Sequence, residues 1–465
     1  MSTAAVAQIA ATRTRSAETD WTLPVAALAT LLVLAVFSAV VTTVGDSVQS
    51  LNGDVASQTW ALSGMSLGLA VALLTVGALA DAFGRRRVLV LSSSVLAMTS
   101  ALGALAPSMT VLIAARILQG VAGAGVLASA LGAIGHVFPT GHPRTRATSV
   151  WGAAVGAGIA IGPLAGGALA ASIGWRSSYW LEAAAAALLV PAAARITESR
   201  ASTRRSLDLS GAAVLALAMG GLTAGLIEGR QSWSAAQAIV PLAAGAALLG
   251  AFVAIEVRRR EPLLELGRFS NPLFLASLTG ALFTGLAVIG LMSFTPLLLQ
   301  RGLHVSVIGS AAVLAAWSGT SMAMALATRR LLGRVSAASV VVLGFAVSAA
   351  GEFALGGVGV GTSWTRMLPG LVILGIGSGL VNASLGRLAL ESVPRERAGM
   401  GSGANNTARY LGGAAGVALV VALATGGGGV GAPGLVAGWN TAVVVCGVLC
   451  VVAALIAAAC RPARR

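Results

Sequence analysis

Gly77-Ala-Leu-Ala-Asp81-Ala-Phe-Gly84-Arg85-Arg86-Arg87 interrupts two long apolar runs. The stretch reads as a tight polar turn between two membrane-spanning helices. Gly84 permits the turn, Asp81 ends one helix, and the arginines open the next segment. Acid and base can therefore pair across a short connection. Arg85, Arg86 and Arg87 also suit an anionic lipid surface. A plain basic turn is the simpler alternative, and the rest of the chain decides between them.

Outward from this turn the pattern repeats. The chain has 465 residues, of which 57% are hydrophobic and 10% charged. Soluble domains carry about 25% charged residues. Apolar runs of about 20 residues recur along the chain, and each is long enough to cross a bilayer. We count about fourteen, at 23–45, 58–80, 88–106, 109–135, 147–171, 178–195, 209–228, 237–256, 272–299, 306–327, 336–357, 367–389, 400–423 and 436–459. The first run is too long for a removable signal. Arginine placement sets the orientation. Twenty-three arginines fall in the tails and in alternate loops, while the other loops hold only Arg176, Arg230, Arg301 and Arg366. By the positive-inside rule both termini are expected in the cytoplasm of a bacterial inner membrane.

The formal charge of +15 comes from scattered clusters rather than one basic segment, which argues against nucleic acid binding. All 30 basic residues are arginine. Without lysine there is no phosphate-binding Walker loop and no Schiff-base cofactor site. Cys446, Cys450 and Cys460 read as small packing residues, and His136, His142 and His304 form no ligand set. No metal or cofactor is expected.

Three further blocks carry chemistry. In the fourth run, Arg116, followed by Gln119 and Gly120, lies about two turns deep. A cation there costs about 2.5–3.5 kcal/mol on insertion scales, so it faces a partner or a cavity. In the fifth run, Gly158, Gly162, Pro163, Gly166 and Gly167 let a neighbouring helix approach closely and bend the segment. In the thirteenth, Asn405, Asn406, Arg409, Gly412 and Gly413 place amides and a cation inside the membrane.

In this order the blocks resemble the major facilitator superfamily, and more narrowly its fourteen-helix drug:proton antiporter family. The resemblance runs from about residue 24 to 460 and includes the turn Gly174-Trp175-Arg176. It implies an all-α integral membrane protein with two six-helix bundles plus two additional helices, fourteen in total. The expected division is a tail 1–22, a first bundle 23–195, a linker 196–268 with two extra helices, a second bundle 269–460 and a tail 461–465. It also implies a gating role for Gly77, Asp81, Gly84, Arg85 and Arg86, a proton-coupling role for Arg116, and an exporter's helix 5.

The chain departs from the family where an Asp, a Thr and an Asn are usual in helix 1: Ser38, Val40 and Thr43 stand there. Asp46, further out on helix 1, is therefore expected to pair with Arg116 as the coupling pair. Glu352, inside helix 11, is the second candidate acid, and Glu182 is set aside as peripheral. Phe283, Phe294, Trp317, Asn382, Asn405 and Arg409 are the expected cavity residues. The reading is a proton-driven exporter of hydrophobic or amphipathic small molecules, drugs or antibiotics, acting as a monomer among membrane lipids. An importer or uncoupled facilitator, and a transport-dead scaffold or sensor, stay open as alternatives.

Overall fold

A computed structural model describes residues 21–200, 209–229, 233–259, 266–332, 335–394, 397–425 and 431–461. The terminal tails, with Arg13, Arg15, Arg464 and Arg465, lie outside the described residues, as do Arg204, Arg205, Arg230, Arg260, Arg334 and Arg395.

The described residues form fourteen long helices. In chain order they are α1 (Thr22–Ser50), α2 (Val55–Phe83), α3 (Arg85–Ala104), α4 (Met109–Val137), α5 (His142–Ser172), α6 (Arg176–Ala193) and α7 (Leu209–Gly229). There follow α8 (Ala236–Arg258), α9 (Pro272–Gly302), α10 (Val307–Leu332), α11 (Ala337–Ala354), α12 (Leu368–Glu391), α13 (Ala398–Thr425) and α14 (Ala432–Ala459).

Twelve of these are long and apolar enough to cross a membrane. Of the fourteen expected spans, α6 and α7 are the two outside this set. Arg176 and Glu182 make α6 more polar. Large apolar side chains point outward around the molecule, among them Leu91, Met98, Leu188, Leu217, Val240 and Leu455. Lipid would cover such a belt. This is a multi-pass membrane protein.

Two apolar cores organise the helices. One gathers Val33, Leu69, Leu89, Leu131 and Trp151 from α1 to α5, with Leu189 from α6. The other gathers Leu291, Trp317, Phe345, Leu374 and Trp439 from α9 to α12 and α14. The two halves touch where α2 and α4 meet α13 and where α5 meets α10 and α12. The α7–α8 hairpin packs on the outside of the seam, with Leu215, Met219 and Phe252 against Leu74 of α2 and Met400 of α13.

The glycine block of α5 is explained by its neighbour. Gly158, Gly162 and Gly166 face Leu31, Ala35 and Ala39 of α1, so four-residue steps on one helix meet four-residue steps on the other. A Cβ at Gly158 or Gly162 would collide with an α1 carbonyl. Thr42 Oγ1 donates to the Pro163 carbonyl at 3.1 Å, and Ser38 Oγ donates to that of Gly158 at 3.4 Å. Helix α9 is irregular. Two π-helical stretches, Thr284–Ile289 and Leu298–Gly302, interrupt its α-helical hydrogen bonding.

Candidate functional site

The polar groups inside the bundles fall into three clusters. The first closes the arginine-rich end of the molecule. Arg85, Arg86 and Arg87 form the first turn of α3 rather than a loop. Their positive charge there is unfavourable next to a helix N-terminus, and two acids answer it. Asp81 pairs with Arg85 four residues on, and both are buried. Asp81 also reaches the opposite half: its carboxylate accepts from the Gly399 and Met400 backbone N–H groups, each at 2.9 Å. The end of α2 thus caps the start of α13.

Glu198 supplies the second acid. It accepts from the Arg86 N–H at 3.1 Å and lies 3.8 Å from the Arg86 and Arg87 guanidinium nitrogens. Gly84 has φ +110°, and a Cβ there would meet the Glu198 carboxylate at 2.6 Å. The positive φ favours glycine, and the Glu198 carboxylate would have to shift for a larger residue. Arg387 completes this end, donating to Glu391 at 2.7 Å and to Thr145 of α5 at 3.1 Å.

The second cluster surrounds Arg116. Its guanidinium is fully buried and donates to the Val36 and Phe37 carbonyls of α1, at 3.0 and 3.3 Å. It also donates to Gln119 Oε1 at 2.9 Å. Gln119 then uses its own amide to reach Ser100 of α3 at 2.9 Å and Glu182 of α6 at 3.2 Å. Glu182 is buried, next to Tyr179. A cation and an acid, both removed from water, are thus joined through one glutamine.

Asp46 does not take part. It is exposed, and about ten residues along α1 from Val36 correspond to roughly 15 Å. The structure forms no Asp46–Arg116 pair; backbone carbonyls and Gln119 occupy the guanidinium instead. Glu182, expected to be peripheral, is reached from α4 by the Gln119 amide.

The third cluster lies in the second half. Arg409 of α13 donates through Nη1 to Asn382 Oδ1 of α12 at 2.9 Å. One turn before Asn382, Ser378 accepts from Trp317 Nε1 of α10 at 3.1 Å. Asn382 and Arg409 are therefore brought together, and Trp317, itself part of the apolar core, lies one turn along α12 from them. The other expected cavity residues are not. Phe294 lies within the apolar core, Phe283 packs against it, and Asn405 is occupied by Ser277 of α9 at 2.9 Å. Glu352 sits two residues from the end of α11, not at mid-span. Its carboxyl is buried beside Cys446 and Cys450 of α14, away from both arginines' partners.

Clusters two and three touch. Phe37, whose carbonyl holds Arg116, packs edge-on against Tyr410 with ring centroids 5.8 Å apart. Tyr410 is the neighbour of Arg409. Among the described residues no group of three metal-binding side chains is present.

Comparisons with known proteins agree with this architecture. Residues 26–417 match the family model described as Major Facilitator Superfamily. The chain is 31% identical over 365 residues to the multidrug resistance protein Stp of Mycobacterium tuberculosis (strain CDC 1551 / Oshkosh), covering 78% of this chain and 67% of that protein. It is 29% identical over 381 residues to the tetracenomycin C resistance and export protein of Streptomyces glaucescens, covering 80% and 70%. Among solved structures, the proton:xylose symporter XylE superposes with a TM-score of 0.69 at 14% identity, over 94% of each chain. That likeness bears on the fold alone. The chain belongs to the Major Facilitator Superfamily, a family of transporters rather than enzymes.

Proposed function

We propose that this protein exports hydrophobic or amphipathic small molecules, drugs or antibiotics, in exchange for protons. Its relatives named above are called resistance and export proteins, and the α5 glycine–proline block against α1 belongs to the exporter pattern. In this reading all fourteen helices span a bacterial inner membrane and both termini are cytoplasmic. The two bundles comprise 23–195 and 269–460, with α7 and α8 in the linker 196–268. The protein works as a monomer in lipid, with protons and no other cofactor.

One observation carries the coupling proposal: Glu182, Gln119 and Arg116 form an unbroken chain to the α1 backbone at Val36 and Phe37. Glu182 replaces the acid that helix 1 lacks. A proton on Glu182 weakens its acceptance of the Gln119 amide. Gln119 then shifts, Arg116 loses an acceptor, and its grip on the Phe37 carbonyl relaxes. Phe37 is the residue that meets Tyr410 in the other half, so protonation is felt at the seam between the halves. A physical two-state element linking the sites is what coupling requires.

The arginine-rich end is then the cytoplasmic gate. Asp81 on Gly399 and Met400, and Arg387 on Thr145, hold it shut, as expected for the conformation that releases cargo outward. Rocking the halves about the α5–α10 and α2–α13 contacts would open it. An inward proton crossing 100 mV supplies about 2.3 kcal/mol for this cycle.

The test is proton movement in proteoliposomes under an imposed pH gradient, with lipophilic dyes and antibiotics added. Proton flux triggered by a dye establishes antiport. Dye movement without proton flux would favour the uncoupled facilitator, which the Ser38, Val40 and Thr43 replacements in α1 also favour.

A further inference from the structure

Arg409 is a buried charge that its surroundings satisfy only in part. It is 4% exposed. Its Nη1 reaches Asn382, but Nε and Nη2 find no acceptor. Arg116 has three acceptors and leaves only Nε unmatched. No carboxylate pairs with Arg409 among the described residues: Asp81 is held by Arg85 and α13, and Glu182 by Gln119.

A buried guanidinium with two idle donors is costly, and such groups normally mark an absent partner. The idle pair, Nε and Nη2, forms one edge of the planar fork that matches a carboxylate bidentately.

Position adds a second argument. Arg409 is eleven residues into α13, or about 17 Å along its axis and near the membrane midplane. The neighbouring Tyr410 meets Phe37 of the first half. Asn382 is adjacent to Ala383, whose backbone lies against Gly152 of α5. The cluster therefore sits on the seam that must open for alternating access. The backbone beside it is irregular. The π-helical stretch of α9 rests its Gly285 directly on the Arg409 carbonyl, and π-turns of this kind recur at functional sites.

We propose that Arg409, oriented by Asn382, is a recognition site for the acidic group of the cargo, and that the preferred cargo is an amphipathic organic anion bearing a carboxylate or an acidic phenol. The Trp317 ring, one turn of α12 away through Ser378, supplies an aromatic surface for the apolar body of such a molecule. In the conformation described, the idle donors are buried. The anion meets them when the seam parts. This inference deepens the export reading and rests on it for its biological meaning, but binding can be measured without transport.

The probes are rhodamine B, which has a free carboxylate, and rhodamine B ethyl ester, which does not. Affinities are measured by fluorescence polarisation with the purified full chain in detergent at pH 8. A charge-assisted bidentate pair is worth about 1.5–3 kcal/mol, or roughly tenfold to a hundredfold. The acid is therefore expected to bind at least about tenfold more tightly than the ester. In Arg409→Gln that ratio should fall to within about twofold of one. In Arg409→Lys, which keeps the charge but not the fork, an intermediate ratio is expected; this variant serves if the glutamine variant does not fold. A wild-type ratio near one, or a preference that survives Arg409→Gln, overturns the assignment. Loss of export alone, with the acid preference and its dependence on Arg409 intact, would instead overturn the export reading and leave the anion site standing.

Discussion

The two halves of the molecule treat their buried arginines differently. In the first half Arg116 is enclosed by α1 carbonyls and Gln119, with Glu182 behind. In the second half Arg409 has one acceptor and two idle nitrogens. Both sit inside apolar helices, where an unmatched charge is expensive. A completed network suits an element that stores and releases a proton, because every change in it moves a neighbour. An incomplete one suits an element that waits for a ligand. The same side chain thus serves two purposes, and what separates them is the number of acceptors the surrounding helices provide.

Replacing each arginine should expose that difference most strongly. Arg116→Ala strips two backbone carbonyls and Gln119 of a donor and leaves Glu182 without a nearby cation. A loss of about 3–5 kcal/mol is expected, read as a large drop in thermal unfolding temperature of the purified protein. Arg409→Leu removes a charge that has little to lose, so stability should hold or rise. Equal losses at the two sites would erase the distinction.

Asp81→Asn bears on how the halves are held together. It weakens charge-assisted hydrogen bonds to Gly399, Met400 and Arg85, each worth about 1.5–3 kcal/mol. Spin-label distances between the arginine-rich ends of α2 and α13 should broaden toward longer values. An unchanged distribution would mean that packing alone closes this end.

A smaller effect is expected at Gly84. Alanine there is strained by the positive φ and crowds Glu198, costing about 1–2 kcal/mol. The smallest concerns Asp54, which caps α2 at the opposite end. The Ser57 backbone N–H, and then its hydroxyl, hold the Asp54 carboxyl below its ordinary pKa. The cap therefore contributes fully above the ordinary carboxylate range and is lost as pH falls through the lowered value. The unfolding difference between wild type and Asp54→Ala should be present at neutral pH and shrink as pH falls below the ordinary carboxylate range.

Much of this was legible in the sequence. The turn at Gly77–Arg87, the depth of Arg116 and the glycine steps of α5 each carry their meaning in local spacing, and the structure gives each a physical partner. The sixth span was less legible, because Arg176 and Glu182 dilute α6. Partners contributed from distant segments were invisible. Glu198 is 112 residues from Arg86, and only the need of three arginines at a helix start for a counter-charge hinted at it. Asp46 was favoured because it shares a membrane half with Arg116, but depth says nothing about which way a side chain faces or how far it must reach. The place of α6 at the edge of the bundle makes Glu182 look remote, and the length of the Gln119 side chain bridges that gap. In the second bundle Phe294 and Trp317 both pack in the apolar core, and what sets Trp317 apart, its indole N–H on Ser378, joins segments 61 residues apart that the sequence does not connect.

The most direct test of the coupling network is dye-triggered proton flux in proteoliposomes for wild type, Glu182→Gln and Asp46→Asn, with correct folding checked by thermal unfolding. The network account predicts that Glu182→Gln abolishes proton movement while Asp46→Asn retains it. Normal proton movement in Glu182→Gln, or its loss in Asp46→Asn, would contradict the account and return the coupling role to α1.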